Sequence, residues 1–302
     1  MPVDRLPDTI EGIQRALAGE RYIADRALAT TVLLARKLEK PILLEGEPGV
    51  GKTEVARALS IVLGARLIRL QCYEGLDATH ALYEWNYPRQ LLHIRAMEGR
   101  SVDVDAVEHS IFSETYLIKR PLLDAIASPS EVPPVLLIDE IDRADEPFEA
   151  FLLEVLSDFQ VSIPELGTIT ARHRPLVILT SNRTREIHDA LKRRCLYMWL
   201  SYPSFERELE ILHARVPQVS ASLAAQLCQF MVRLRAMDLN KKPGVAETID
   251  WAEALLCLNR YELDGAAAFE TAGVILKTRE DLARFDRDTI ESVLRETSVG
   301  HG

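Results

Sequence analysis

The residues best suited to chemistry form one short run early in the chain. In order they are Gly46, Glu47, Pro48, Gly49, Val50, Gly51, Lys52 and Thr53. The run fits G-x-x-x-x-G-K-[ST] and lies between an apolar stretch at 41–44 and a helical pattern, which is the context of a phosphate-binding loop. The glycines let backbone N–H groups surround phosphates, Lys52 would reach the β- and γ-phosphates, and the Thr53 hydroxyl would coordinate Mg²⁺. The run predicts a nucleotide–Mg²⁺ site; the alternative is a glycine turn with a chance lysine.

Two carboxylates, Asp139 and Glu140, follow a second apolar run at 135–138. In an open parallel sheet, ligands bind at the carboxyl ends of the strands. We therefore expect Asp139 to reach the Mg²⁺ shell through water. Glu140 would orient and polarise an attacking water, the step that nucleotide hydrolysis needs. A solvated acidic turn is the alternative.

A third polar group follows the apolar run at 176–179, where the chain continues with small polar residues to Asn182. The Asn182 amide could hydrogen-bond the γ-phosphate or the attacking water; an ordinary turn asparagine is the alternative. Arg193 and Arg194 lie just before the last apolar run. They could complement a helix dipole. In an oligomeric ATPase, an arginine at this place projects onto the neighbour's γ-phosphate, and Arg194 is the stronger candidate.

The elements that position these residues alternate along the first two thirds of the chain. Apolar runs at 41–44, 67–70, 135–138, 176–179 and 196–200 are separated by helical patterns. Such alternation predicts an α/β fold with a parallel sheet covered by helices on both faces. After Pro203 the pattern is helix after helix. We expect an α/β nucleotide-binding domain at 1–203 and a smaller helical domain at 204–302.

Two segments are longer than the connections that a minimal α/β domain needs. The segment at about 75–120 is long and mixed and contains several aromatic residues, which indicates a helical insertion. The segment at about 159–174 predicts a β-hairpin that turns near Gly167. Insertions on a rigid scaffold often carry recognition, although these two could also simply cover the sheet.

The composition narrows the function classes. The chain has 302 residues and a formal net charge of -10, which argues against general nucleic-acid binding. We expect no membrane-spanning helix and no signal peptide. The four cysteines are scattered and the seven histidines show no metal-ligand spacing, so we expect neither disulfides nor a zinc site.

These motifs, in this order, resemble those of the AAA+ ATPases, over roughly residues 21–277. Within that family the chain is similar to the MoxR group, which shares the YIAD run at 22–25 before the first strand, the insertion after Leu70 and the hairpin before Asn182. The runs LQCYEGLD at 70–77, YEWNYP at 83–88 and VAETIDW at 245–251 are closest to those of CoxD-type ATPases. That subgroup is linked to maturation of molybdenum-containing carbon monoxide dehydrogenase.

The resemblance implies a P-loop NTPase fold with a helical lid at 204–302 and gives each motif a role. Residues 46–53 would be Walker A, Asp139 and Glu140 Walker B, and Asn182 sensor 1. Arg194 would be the arginine finger, with Arg193 or another arginine as a partial substitute for a missing lid arginine. The backbone near Tyr22 and Ile23 would pack against adenine. The lid turn at 244–248, which reads GVAET, lacks the sensor-2 arginine that many MoxR-type lids carry.

The same resemblance implies partners and a setting. It suggests a homo-oligomer, most commonly a hexameric ring, that works with a von Willebrand factor A domain protein and a client metalloenzyme. A cytoplasmic location follows, with peripheral association at the inner membrane face left open. The leading hypothesis is Mg²⁺-dependent ATP hydrolysis that drives remodelling or metal-centre maturation of the client. The alternatives are a MoxR-type chaperone for another client, a nucleic-acid motor, a small-molecule phosphotransferase and a nucleotide-gated scaffold.

Overall fold

Asp139, Glu140 and Asn182 lie at or just after the ends of strands in a five-stranded sheet. The structure is a computed structural model that describes residues 6–97 and 110–298. In chain order its strands are β1 (Ile42–Gly46), β2 (Leu67–Gln71), β3 (Tyr83–Trp85), β4 (Leu117–Lys119), β5 (Val135–Asp139), β6 (Gln160–Ile163), β7 (Gly167–Thr170), β8 (Leu176–Ser181) and β9 (Leu196–Leu200). Five of them lie in the order β2-β5-β8-β1-β9. The pairs β2–β5, β5–β8 and β1–β8 are parallel, so the predicted parallel sheet is confirmed.

Burial explains why these runs form inner and edge strands. Every residue of β1 and β5 is buried, as expected for strands covered on both faces. Strand β2 lies at one edge of the sheet, and its Arg69 and Gln71 are exposed between buried residues. The edge strand thus presents polar side chains beside the end of β5.

Helices make up most of the remaining structure. In chain order they are α1 (Ile10–Gly19), α2 (Arg26–Leu38), α3 (Lys52–Leu63), α4 (Ala78–Leu82), α5 (Tyr87–Met97), α6 (Pro121–Ile126), α7 (Glu146–Asp158), α8 (Asp189–Arg194), α9 (Phe205–Arg215), α10 (Ala221–Ala236), α11 (Val245–Cys257), α12 (Gly265–Glu270), α13 (Ala272–Ile275), α14 (Arg279–Arg284) and α15 (Arg287–Ser298). Within the described ranges, none of them combines the length and hydropathy that membrane crossing demands.

The two elaborated segments contain small antiparallel strand pairs. Strands β6 and β7 form a hairpin over Gln160–Thr170, inside the segment for which the sequence predicts one. The insertion at 75–120 contains helices and also the pair β3–β4, which the sequence does not predict. Residues 98–109 of the insertion lie outside the described part of the chain.

Contacts between residues divide the chain into two units. The first unit comprises Met1–Ala16, Arg26–Glu45 and Ala56–Met198, and the second comprises Leu17–Asp25, Gly46–Val55 and Trp199–Gly302. The second unit thus combines the helical C-terminal region with two short segments from the beginning of the chain. One of these segments contains the phosphate-loop motif and the other contains Tyr22 and Ile23.

Each unit has its own apolar core. In the first unit, buried residues of the sheet pack with α6 and α7. In the second unit, Phe230 and Trp251 are fully buried, with ring centroids 5.1 Å apart. The Trp251 indole N–H donates to the Thr271 hydroxyl at 2.6 Å, which satisfies its polar atom inside this core.

Candidate functional site

The phosphate-loop motif folds as a glycine turn between β1 and α3. Gly49 and Gly51 have φ values of 76° and 94°, in the left-handed region that side chains disfavour. The Lys52 ammonium is largely buried and donates to the carbonyl oxygens of Gly46 at 2.7 Å and Glu47 at 2.8 Å. The loop therefore encloses its own lysine at the start of a twelve-residue helix, the arrangement that binds phosphate groups.

A turn of the helical region lies directly on this loop. The backbone N–H groups of Val245 and Ala246 donate to the Gly49 carbonyl at 3.0 and 3.4 Å. A methyl group on Gly244 would lie only 2.5 Å from the Gly49 Cα atom, so the two backbones can approach only because both residues are glycines. The Glu247 carboxylate accepts from the Gly244 N–H at 2.8 Å and caps α11.

The Tyr22 segment borders the loop within the same unit. The Tyr22 ring lies 3.8 Å from the position that a Cβ atom on Gly51 would take. Burial raises the pKa of the Tyr22 phenol. Arg207 of α9 donates to the Ile23 carbonyl at 2.9 Å and pairs with Asp25 at 2.8 Å, which fixes this segment to the helical region.

A buried ion pair supports the turn that contacts the loop. The Arg235 guanidinium pairs with both carboxylate oxygens of Glu208 at 2.5 and 2.7 Å and donates to the Pro243 carbonyl at 2.7 Å. The Thr248 hydroxyl donates to the same carboxylate at 2.5 Å, and the guanidinium lies 4.9 Å from the centre of the Tyr202 ring. These contacts hold both ends of the turn, and no local sequence pattern indicates them.

In the first unit, Asp139 and Glu140 share one anchor on the neighbouring strand. The Thr180 hydroxyl donates to the Asp139 carboxylate and accepts the Glu140 N–H at 2.9 Å. Asp139 is buried, and Arg69 of β2 contacts its other carboxylate oxygen at 2.6 Å. The pairing of β5 with β8 places Thr180 here, and sequence reasoning missed it.

Glu140 has a strained backbone and a restrained side chain. Its φ and ψ are 55° and 50°, a left-handed conformation that is uncommon for residues other than glycine. The Gln71 amide donates to its carboxylate at 3.1 Å, and Arg143 lies 3.6 Å from the same oxygen. The only sequence signal for Gln71 is its alternation with Arg69 in an otherwise apolar edge strand.

Asn182 and the loop after it depend on two buried carboxylates. Asp142 accepts the N–H of Asn182 at 3.2 Å, and the N–H and hydroxyl of Thr184 at 2.9 and 2.7 Å. Glu149 accepts the His188 N–H at 2.8 Å and pairs with Arg185. These contacts fix the chain between β8 and α8.

Arg193 and Arg194 lie in the last turn of α8 and are both exposed.

The structure brings Asp139, Glu140 and Asn182 to the carboxyl ends of two adjacent strands. It places Tyr22, Ile23 and residues 46–53 together in the other unit. Among the described residues there is no cluster of three or more His, Cys, Asp or Glu side chains that could hold a metal ion.

Comparison with known proteins places this arrangement in a family. The family model described as "ATPase family associated with various cellular activities (AAA)" matches residues 42–199, about half of the chain. The chain therefore belongs to the AAA ATPase family. Membership of this family supports nucleotide binding and ATP-driven activity.

Individual relatives match over parts of their lengths. The chain is 26% identical to the uncharacterized protein YeaC of Bacillus subtilis over 213 residues, which are 68% of this chain and 55% of YeaC. It is 31% identical to the Lon protease of Campylobacter jejuni over 149 residues, 47% of this chain and 16% of Lon. The matches thus span about half of YeaC and a small part of Lon.

Solved structures are similar at low sequence identity. An ATPase candidate from Cytophaga hutchinsonii gives a TM-score of 0.48 at 17% identity, covering 95% of this chain and 94% of that one. The Holliday junction branch migration motor RuvB of Thermotoga maritima gives 0.46 at 16% identity, covering 98% of this chain and 81% of that one.

Proposed function

We propose that this AAA ATPase forms a ring and uses Mg²⁺-dependent ATP hydrolysis to remodel a client protein. The observation that carries the catalytic part is the shared anchoring of Asp139 and Glu140 on Thr180. It orients two carboxylates at the carboxyl end of a parallel strand, where ligands of such sheets bind. Glu140 acts there as the general base for the attacking water.

The remaining residues hold and orient the nucleotide. Residues 46–53 surround the phosphates, and Lys52 exchanges its contacts with loop carbonyls for phosphate oxygens. Thr53 and Asp139 both offer hard oxygen atoms, the ligands that Mg²⁺ prefers. Bound Mg²⁺ supplies charge neutralisation at the phosphates. Tyr22 and Ile23 contact the adenine, and the Asn182 amide orients the water or the γ-phosphate.

The exposed arginines of α8 complete the site of a neighbouring subunit. Arg194 reaches the neighbour's γ-phosphate, and Arg193 partly substitutes for the missing lid arginine. Both side chains are exposed in the last turn of α8, from which a long cationic side chain can extend across a subunit interface. This assigns the chain to a homo-oligomer, which we place as a hexameric ring in the cytoplasm. We assign the α/β domain to 1–203 and the lid to 204–302.

For the client we propose a molybdenum-containing carbon monoxide dehydrogenase or a related hydroxylase, served together with a von Willebrand factor A protein. The runs at 70–77, 83–88 and 245–251 support this assignment, because they are similar to CoxD-type members of the MoxR group. The insertion at 75–120 and the hairpin β6–β7 are the candidate contact elements. Capture of the client by a hydrolysis-deficient ring tests this point directly.

The test of catalysis is Glu140→Gln. We expect turnover to fall by about 10²–10⁴, the usual contribution of a general base, while ATP affinity is retained. Glu146→Gln, an exposed glutamate on the next helix, is the matched control and should keep normal turnover. Normal hydrolysis by Glu140→Gln would remove Glu140 from its role.

The shared site is tested by mixing subunits. Arg194→Ala and Glu140→Gln chains are each expected to be nearly inactive alone. Mixed rings should recover part of the activity, because some interfaces pair an intact Glu140 with an intact Arg194. If co-assembly is confirmed and no activity returns, the arginine-finger assignment is wrong.

A further inference from the structure

A cavity of about 480 Å³ lies at the amino ends of the strands, within the first unit. It is lined by Ala35, Arg36, Glu39 and Lys40 before β1, by residues 131–133 before β5 and by residues 171–176 leading into β8, together with Leu6 and Leu63. The carboxylates of the proposed catalytic site lie at the opposite, carboxyl ends of these strands. The volume falls in the range of about 300–1,000 Å³ that is typical of small-molecule sites.

The lining has an apolar part and a basic part. Apolar side chains come from Leu6, Ala35, Leu63, Val132, Pro133, Ala171, Pro175 and Leu176. The charged residues are Arg36, Lys40, Arg172 and Arg174 against Glu39 and Glu131. The cavity therefore concentrates positive charge in a chain whose formal net charge is -10. Such a lining fits an anionic molecule with an apolar body.

The ion-pair partners of the cavity arginines are exposed carboxylates. Arg36 also donates to the Leu6 carbonyl, and the Arg174 guanidinium lies 5.3 Å from the centre of the Phe159 ring. Arg172 contacts Glu131 at 3.1 Å, and Arg174 contacts Glu39 at 2.9 Å, with both carboxylate side chains about 60% exposed. Arg36 pairs with Asp8, which is 80% exposed. Exposed ion pairs are weak, so a ligand anion can replace the carboxylate partners of Arg172 and Arg174 at little cost.

His173 has a buried ring nitrogen without a hydrogen-bond partner among the described residues. Its Nε2 atom is buried, and no described residue forms a hydrogen bond with it. The nearest carboxylate oxygen, on Glu131, lies 3.7 Å away, which is too long for a hydrogen bond. Buried polar atoms are nearly always paired, so an acceptor oxygen on a ligand would satisfy this nitrogen in the tautomer that carries its proton.

We propose that this cavity binds a small organic anion whose carboxylate or phosphate head meets Lys40, Arg172 and His173 and whose apolar body fills the rest. The site is separate from the nucleotide site and does not depend on the proposed client. A carboxylate and a phosphate are both anionic groups whose oxygen atoms accept hydrogen bonds, and the experiment below tests each of them.

The test measures binding of 4-phenylbutyrate and phenyl phosphate to full-length Lys52→Ala protein by calorimetry or NMR. Loss of Lys52 suppresses phosphate-loop binding, so a remaining phosphate signal reports on the cavity. We expect one saturable site per chain with Kd at or below about 1 mM for at least one probe. The uncharged 4-phenylbutanol should bind at least about tenfold more weakly, since it lacks the head group.

Variants locate the site. Lys40→Ala combined with Arg172→Ala should weaken binding at least about tenfold, and His173→Ala several-fold. Lys37→Ala, in α2 next to Arg36 but outside the cavity lining, should leave Kd unchanged. Three results would each overturn the proposal. They are the absence of saturable binding up to about 10 mM, binding of the alcohol as tight as that of the anions, and a Kd that the Lys40, Arg172 and His173 variants leave unchanged.

Discussion

Glu140, the proposed catalytic carboxylate, has a left-handed backbone conformation that residues other than glycine rarely adopt. A left-handed conformation costs on the order of 1–3 kcal/mol outside glycine and persists only where neighbours enforce it. Here Thr180 holds the backbone N–H and Gln71 holds the carboxylate. The position of the proposed general base is therefore set by residues from both adjacent strands.

Thr180→Val tests that dependence. The change keeps the shape of the side chain but removes the hydroxyl that joins Asp139 to the Glu140 backbone. The buried Asp139 carboxylate and the partly buried Glu140 N–H lose a partner, so we expect the free energy of unfolding to fall by about 1–3 kcal/mol. Turnover should fall more than nucleotide affinity, because Glu140 is no longer fixed. Urea unfolding and steady-state ATPase assays measure the two effects.

Thr180→Ser is the matched control, because it retains the hydroxyl and should retain most of the stability and turnover. Valine and serine variants with equal turnover would contradict the anchoring role.

Sequence patterns reveal the reactive residues better than the residues that hold them. Asp139, Glu140 and Asn182 follow apolar runs, and a strand followed by polar groups is visible in a single sequence. Thr180, Asp142 and Gln71 act across strands or loops about 40–70 positions away. Their roles depend on strand order and register, which local patterns do not specify.

At the scale of elements, the contact between the turn before α11 and the phosphate loop needs two glycines. Gly244→Ala would place a methyl group 2.5 Å from the Gly49 Cα atom, and backbone cannot yield as a flexible side chain can. We expect ATP affinity to fall about tenfold or more and the melting temperature to drop. Fluorescent-nucleotide titration and thermal unfolding measure these changes.

Gly273→Ala serves as the comparison, because nothing lies within 4 Å of its added methyl group. It should leave nucleotide affinity unchanged. Equal affinities for the two variants would show that the turn does not support the loop.

The ion pair behind this turn gives a second prediction. Arg235→Met leaves the fully buried Glu208 carboxylate without its partner, so we expect a loss of about 3–5 kcal/mol in unfolding free energy. The double variant Arg235→Met/Glu208→Leu should be more stable than Arg235→Met alone, because it also removes the buried carboxylate that has lost its cationic partner. A double-mutant cycle by urea denaturation measures the coupling. Additive losses would contradict a direct pair.

The sequence predicted long, regular elements and missed short ones. The buried strands β1, β5 and β8 are continuous apolar runs, and the helical pattern after Pro203 is equally clear. Strands β3 and β4 have three residues each, too few to establish a period. Their pairing is stabilised by packing, such as the edge-to-face contact of Trp85 with Phe112, rather than by local preference.

At the scale of the whole molecule, burial divides the four cysteines into two reactivity classes. Cys72, Cys195 and Cys228 are buried, and burial raises the pKa of each thiol to about 12. Cys257 is exposed. Because the thiolate is the reactive form, we expect one fast-reacting thiol per native chain at neutral pH and four after denaturation. Titration with a disulfide reagent such as DTNB counts them.

Cys257→Ser should abolish the fast phase and leave the slow phase intact. A second fast thiol in the native protein would show that one of the three apolar environments opens readily.

The contact of residues 46–55 with the turn at 244–248 also has a consequence for synthesis on the ribosome. About 190 residues must be added after the loop before Gly244 exists, which takes on the order of 10–40 s at typical elongation rates. During that interval the Gly49 carbonyl has no partner from α11. We therefore expect the chain to bind ATP tightly only late in translation. Chains that terminate before residue 244 should bind ATP weakly.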